Sequence, residues 1–84
     1  MRLELRFFAS AREAVGQAGF ALELVQAPQS VAELVNMFDP DVRFERLRDS
    51  RIRVAVNGRI LEVDALLVVQ DGDEVAFLPP VTGG

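Results

Sequence analysis

One segment of this chain carries a helical signature, SVAELVNMF at 30–38, and it stands between two groups of short segments with a period of two. Ser30 followed three residues later by Glu33 is a capping box: the serine oxygen accepts a free backbone N–H, and the glutamate reaches back from the first turn. Val31, Leu34, Val35 and Phe38 then recur at helical spacing. Pro40 disfavours a helical conformation at the residue before it, so the helix ends by Asp39. A single amphipathic helix among strands has one economical solution, which is to lay its apolar stripe on one face of a sheet.

The strands come from alternation. In RLELRFF (2–8), Leu3, Leu5 and Phe7 point one way, and Arg2, Glu4, Arg6 and Phe8 the other. Residues 9–19, ASAREAVGQAG, read as a connection with glycines at 16 and 19. FALELV (20–25) alternates again and fits an N-terminal hairpin with the first strand. The charged stretch 41–51 is compatible with a short helix or a loop, anchored by Val42, Phe44 and Leu47. IRVAV (52–56), the Asn57-Gly58 turn and RILEV (59–63) form a second hairpin. ALLVV (65–69) is too short to classify by period. Asp71-Gly72 leads into EVAFL (74–78), the last strand. The order is β-β-α-β-β-β, an α+β fold with a mixed sheet of four to five strands and one main helix on one face. Its domain spans 1–78, and 79–84 form an extended tail. If Val54, Val56, Val75 and Phe77 face the helix, then Phe8, Ala55, Ala76 and Leu78 lie on the opposite face. Scattered surface apolars or one contiguous partner patch both fit that reading.

Composition removes several kinds of chemistry. The 84 residues include no cysteine and no histidine, so thiolate chemistry, a disulfide framework and the commonest metal ligands are missing. The net charge of -4 disfavours a non-specific nucleic-acid surface or a polybasic membrane attachment. The nine basic residues are all arginine. The charged opening lacks the apolar segment of a secretory signal, and no run reaches membrane-spanning length, so a soluble cytoplasmic protein is expected. DGDE (71–74) resembles a piece of a calcium loop, but the twelve-residue ligand pattern does not follow. No paired carboxylates stand out, and the five arginines of RFERLRDSRIR (43–53) are interleaved with Glu45 and Asp49. No metal site is expected.

What remains is PPVTGG (79–84). A carboxyl on Gly84 is ionised at neutral pH and is a poor electrophile until activated, for example by adenylation. Gly83 and Gly84 have no side chains and fit a channel too narrow for other residues. Pro79 and Pro80 favour an extended stalk, with Val81 and Thr82 completing the tail. Fully extended, 79–84 reaches on the order of 20 Å.

FFASAREAVG (7–16), SVAEL (30–34), VAVNG (54–58) and DGDEVAFLPPV (71–81), closed by the double glycine, occur in the order found in the small, sulfur-carrying subunits of molybdopterin synthase. The chain resembles that family, whose members share the ubiquitin-like β-grasp fold. Departures are slight: VVQ (68–70) replaces a more usual leucine and basic residue, and Thr82 stands where serine or alanine is common. The resemblance implies that a ubiquitin-activating-like adenylyltransferase uses Mg-ATP to adenylate the Gly84 carboxyl. A sulfurtransferase system then converts it to a thiocarboxylate. The tail, led by Gly83 and Gly84, enters the large subunit of a heterotetrameric synthase, and its sulfur passes to cyclic pyranopterin monophosphate. No cofactor is bound stably, and the chain is a co-substrate rather than a complete enzyme. Phe77, Leu78 and Pro80 fall near the interface, and the outer residues Phe8 and Ala55 extend it. Alternatives are a carrier of the same fold serving thiamine or tRNA thiolation, a protein-conjugating modifier, and a plain binding module.

Overall fold

The computed structural model describes residues 1–62 and 64–79. The chain forms β1 (Arg2–Phe7), α1 (Ala9–Val15), β2 (Gly19–Glu23), α2 (Val31–Asn36), a 3₁₀ helix (Val42–Arg48), β3 (Arg53–Val56), β4 (Arg59–Ile60) and β5 (Glu74–Leu78). They build one five-stranded sheet in the order β2-β1-β5-β3-β4. β1 and β5 run parallel, while the β1–β2, β3–β4 and β3–β5 pairs are antiparallel. With the helices on one face, this is the ubiquitin-like β-grasp fold.

The serine half of the capping box forms as its sequence dictates, and the glutamate half is displaced by one residue. Ser30 Oγ accepts from the Glu33 N–H at 3.0 Å, while Glu33 Oε2 accepts from the Gln29 N–H, one residue further back, at 3.4 Å. α2 stops at Asn36, earlier than Pro40 requires. The N–H groups of Met37, Phe38 and Asp39 bond three residues back, to Leu34, Val35 and Asn36, so the turn tightens before the proline is reached. The segment 41–51 contains a 3₁₀ helix, opened by Asp41 Oδ1 accepting from the Arg43 N–H at 3.0 Å.

Residues 9–15, read from sequence as connection, are helical. Their only fully buried side chains are Ala11 and Val15, and no side chain caps the start. So small an apolar stripe gives little helical period, and packing supplies the rest. β4 ends at Ile60, short of the expected 63, and Val63 lies outside the described residues. Residues 65–69 form no regular element, yet Leu67 and Val69 are buried in the core.

Five of the six phenylalanines make one cluster. The Phe7 ring lies 5.6 Å from those of Phe77 and Phe20 and 6.3 Å from Phe44, and Phe38 stacks on Phe44 at 4.1 Å. Leu3, Leu5, Val54 and Val75 continue the sheet side, and Leu34, Val35, Val15 and Leu47 close it from the helices. No helix among the described residues is long and apolar enough to cross a membrane.

Two turns are tied together at the end of the sheet where β5 begins. Asn57 and Gly58 both adopt left-handed backbone, as a two-residue hairpin turn needs. Asn57 Nδ2 donates to Asp73 Oδ1 at 3.0 Å, and Asn57 Oδ1 accepts from the Glu74 N–H at 2.9 Å. Asp73 Oδ2 accepts from the Gln70 N–H at 2.8 Å. The Asn57 bond first, and then the Gln70 bond, hold the Asp73 carboxyl below its ordinary value. A depressed folded value contributes stability that is present above the unfolded value and fades as pH falls through the folded one. We expect Asp73→Asn to melt at a lower temperature than the wild type at pH 7. Thermal melts on descending pH should show the gap narrowing once the wild-type carboxylate protonates.

Candidate functional site

β5 occupies the middle of the sheet, bonded to β1 on one side and β3 on the other, so the point where the tail departs is held on both flanks. Leu78 is paired with Arg53 of β3. On the β1 side the ladder runs through Phe7 and Phe77, and the Phe8 N–H extends it by donating to the Phe77 carbonyl at 3.1 Å. Phe8, Leu78 and Arg53 therefore form a row across three strands at the tail root. The chain then leaves β1 sharply: Ala9 takes a left-handed φ of 48°, a conformation that costs a residue with a Cβ about 1–2 kcal/mol. That single residue turns the backbone into α1 and leaves Phe8 on the outer face.

A second row lies behind the first. Ala76 is paired with Arg6 and Ala55, and Ala55 with Ile60. Ala55 and Ala76 are only 4% and 6% exposed, whereas Phe8 and Ile60 are 46% and 52% exposed. The registers thus bring Phe8, Leu78, Ala76, Ala55 and Ile60 onto one contiguous apolar area with the alanines as its floor. The parity argument placed all of these except Ile60. The Asn57-Gly58 turn contains the missing signal, because a two-residue loop pairs 56 with 59 and 55 with 60.

Phe77 departs from the expectation that it touches a partner. It is 0% exposed and stacks on Phe7, so it supports the outer area from beneath. Pro79 is half-buried at the root. Pro80, Val81, Thr82, Gly83 and Gly84 lie outside the described residues.

No grouping of metal-ligating side chains occurs among the described residues. The shifted carboxyls are bonded at the surface. Asp49 is lowered to about 2, chiefly by its side-chain bonds with Arg51, and Asp41 is lowered in the same way by Arg43. A cleft of about 520 Å³ lies between α2, the end of the 3₁₀ helix and residues 61, 62 and 64–66, with Val31, Val35, Leu47 and Leu61 among its walls. The arrangement on the outer face is suited to docking: an apolar area beside a fixed exit for a chain.

Fold and site together define a ubiquitin-like β-grasp protein whose C-terminal segment springs from the central strand of its sheet. The ThiS family matches residues 5–84, and the chain belongs to that family. It is 37% identical to the molybdopterin synthase sulfur carrier subunit of Escherichia coli over 98% of this chain and 99% of that protein. It is 32% identical to small archaeal modifier protein 3 of Haloferax volcanii over the whole of both. The solution structure of the Haloferax volcanii HVO 2177 protein superposes with a TM-score of 0.75 at 33% identity, covering 100% of this chain and 87% of that one.

The structure separates two neighbouring residues by task. Phe77→Ala should lose about 3–5 kcal/mol in urea unfolding, the range for truncating a buried aromatic. Leu78→Ala should lose well under half as much, since Leu78 is only partly buried.

Proposed function

We propose that this chain is a sulfur carrier in molybdenum cofactor biosynthesis, the small subunit of a molybdopterin synthase, with Gly84 as the residue that carries the sulfur. The observation that carries this reading is full-length similarity to molybdopterin synthase sulfur carrier subunits, in a chain whose last strand is the centre of the sheet. The carboxylate oxygen of Gly84 attacks ATP in the activating partner and displaces pyrophosphate. A persulfide sulfur of the donor then displaces AMP from the acyl carbon. A second donor-side thiolate attacks the donor sulfur of the resulting acyl disulfide, so that a disulfide forms on the donor side and the thiocarboxylate leaves. The body docks through the area around Phe8, Leu78 and Ile60, and the tail reaches into the large subunit. There the sulfur is delivered to cyclic pyranopterin monophosphate, two deliveries building the dithiolene. The reading needs no cysteine in the chain, because the carboxyl bears the sulfur.

Similarity to a small archaeal modifier protein favours a second reading, in which the activated carboxyl is passed to a lysine amine of another protein and an amide forms. The products distinguish the two.

Intact mass of the chain, purified from cells that hold its activation system, is expected to show a species with one oxygen replaced by sulfur. Supplying that species to the large subunit and the pterin precursor should yield molybdopterin. Finding only the carboxylate, with a competent adenylating partner and sulfur donor present, would refute the carrier role. One residue added after Gly84 should abolish transfer and leave the melting temperature unchanged; transfer that survives without removal of the extra residue would count against Gly84.

A further inference from the structure

Arg53 sits at the tail root, paired with Leu78 at the edge of the apolar area, and its chemistry is unfinished there. Five arginines lie against carboxylates: Arg2 with Glu4, Arg6 with Glu74, Arg43 with Asp41, Arg48 with Asp39 and Arg51 with Asp49. Arg12, Arg46 and Arg59 form no ion pair among the described residues, and none of the three is paired in the sheet with the tail-root residue Leu78. Arg53 makes no such ion pair among the described residues. Its side chain reaches toward the segment that follows β4, where Nη2 donates to the Leu61 carbonyl at 3.0 Å. That bond holds the guanidinium on the β4 flank of Arg53, across β3 from Leu78, while occupying one of its five N–H donors. Arg53 is half-buried already, so the remaining donors are satisfied by water only while this corner stays open.

Closing a protein over Phe8, Leu78, Ala76, Ala55 and Ile60 removes that water. A covered guanidinium with unmet donors is costly, and a neutral acceptor offsets the loss only in part. A carboxylate matches the planar fork in shape and in charge. We propose that Arg53 is a specificity-determining contact, recognised by an aspartate or glutamate that the tail-accepting partner presents at the mouth of its channel. The partner's complement at this point is acidic, although the chain as a whole carries a net charge of -4. This inference rests on the reading that the outer face is the docking surface.

The test is calorimetric titration of the whole chain into purified molybdopterin synthase large subunit, at low and moderate salt. Arg53→Gln should weaken binding by roughly 30-fold or more, the loss seen when one member of a buried, hydrogen-bonded charge pair is truncated. Arg53→Glu should be weaker still, with the gap between the two variants shrinking as salt rises. Arg53→Lys, which keeps the charge and loses the fork, should fall between wild type and Arg53→Gln. Melting temperatures near wild type for all three would show that the effect is on docking. Ile60→Asp serves as the control for the surface itself. If Ile60→Asp weakens binding and Arg53→Gln stays within about twofold of wild type, the Arg53 contact is refuted and the docking surface stands. Arg53→Glu binding as well as Arg53→Gln would also overturn it, since the complement would then be neutral. If Ile60→Asp changes nothing, the docking reading fails and the inference falls with it.

Discussion

The parallel pairing of β1 and β5 is the contact on which the rest of this structure depends. It joins the first strand of the chain to the last, so every other element is inserted between two segments that must find one another across the sequence. Phe7 and Phe77 sit opposite each other in that pairing, and their rings stack at 5.6 Å at the centre of the aromatic cluster. A parallel pair cannot be closed by a tight turn and needs a long crossover, which here contains both α-helices and the 3₁₀ helix. The crossover elements then find their buried face ready-made. Ala11, Val15, Leu34, Val35, Phe44 and Leu47 all close on the same apolar surface.

The same pairing makes β5 central rather than an edge, and that has a consequence for whatever follows Leu78. An edge strand frays and invites pairing with other chains. A central strand does neither, so the direction in which the chain leaves the body is set by β1 and β3 together. The two faces of β5 are divided in kind. Val75 and Phe77 face the core, while Ala76 and Leu78 face outward onto a floor of small side chains. Stability and recognition are thereby placed on alternating residues of one strand, and a change on one face need not disturb the other. Gly19 shows how tightly the edge beside β1 is drawn in: a Cβ there would lie 2.3 Å from the Leu5 carbonyl oxygen, which no other residue type tolerates.

Much of this was legible in the sequence where a local rule and a tertiary demand coincide. Alternation in 2–7 and 74–78, the Asn57-Gly58 turn and the Ser30–Glu33 cap each have a mechanism confined to a few neighbouring residues, and the fold obeys them. Helix α1 was hidden because its buried face consists of Ala11 and Val15, too little apolar surface to declare a period, and because its start is made by the left-handed Ala9 rather than by a capping side chain. The early end of α2 was hidden for a related reason. Pro40 sets a limit on the helix, and the three-residue bonds at 37–39 end it sooner, in the turn from which Phe38 stacks on Phe44. On the outer face, parity alone found Phe8, Ala55, Ala76 and Leu78, and turn length would have added Ile60. Arg53 could not be singled out among five arginines in 43–53 until the register set it beside Leu78.

Charge is where global and local arguments diverge. An acidic chain suggests basic partners, and long-range steering follows net charge. A docked surface instead answers to the groups it buries, and at the tail root the half-buried ionic group identified is a cation held by Leu61. On the proposed function the two scales act at different stages. Net charge governs how a partner approaches the body, while the corner at Arg53 governs whether the encounter settles with the exit aligned to the partner's channel. A carrier that must be charged by one protein and emptied by another gains from such a division. The apolar floor is sequence-tolerant and suits any partner of complementary shape, and a single fixed guanidinium at its margin supplies the orientation that an apolar contact lacks.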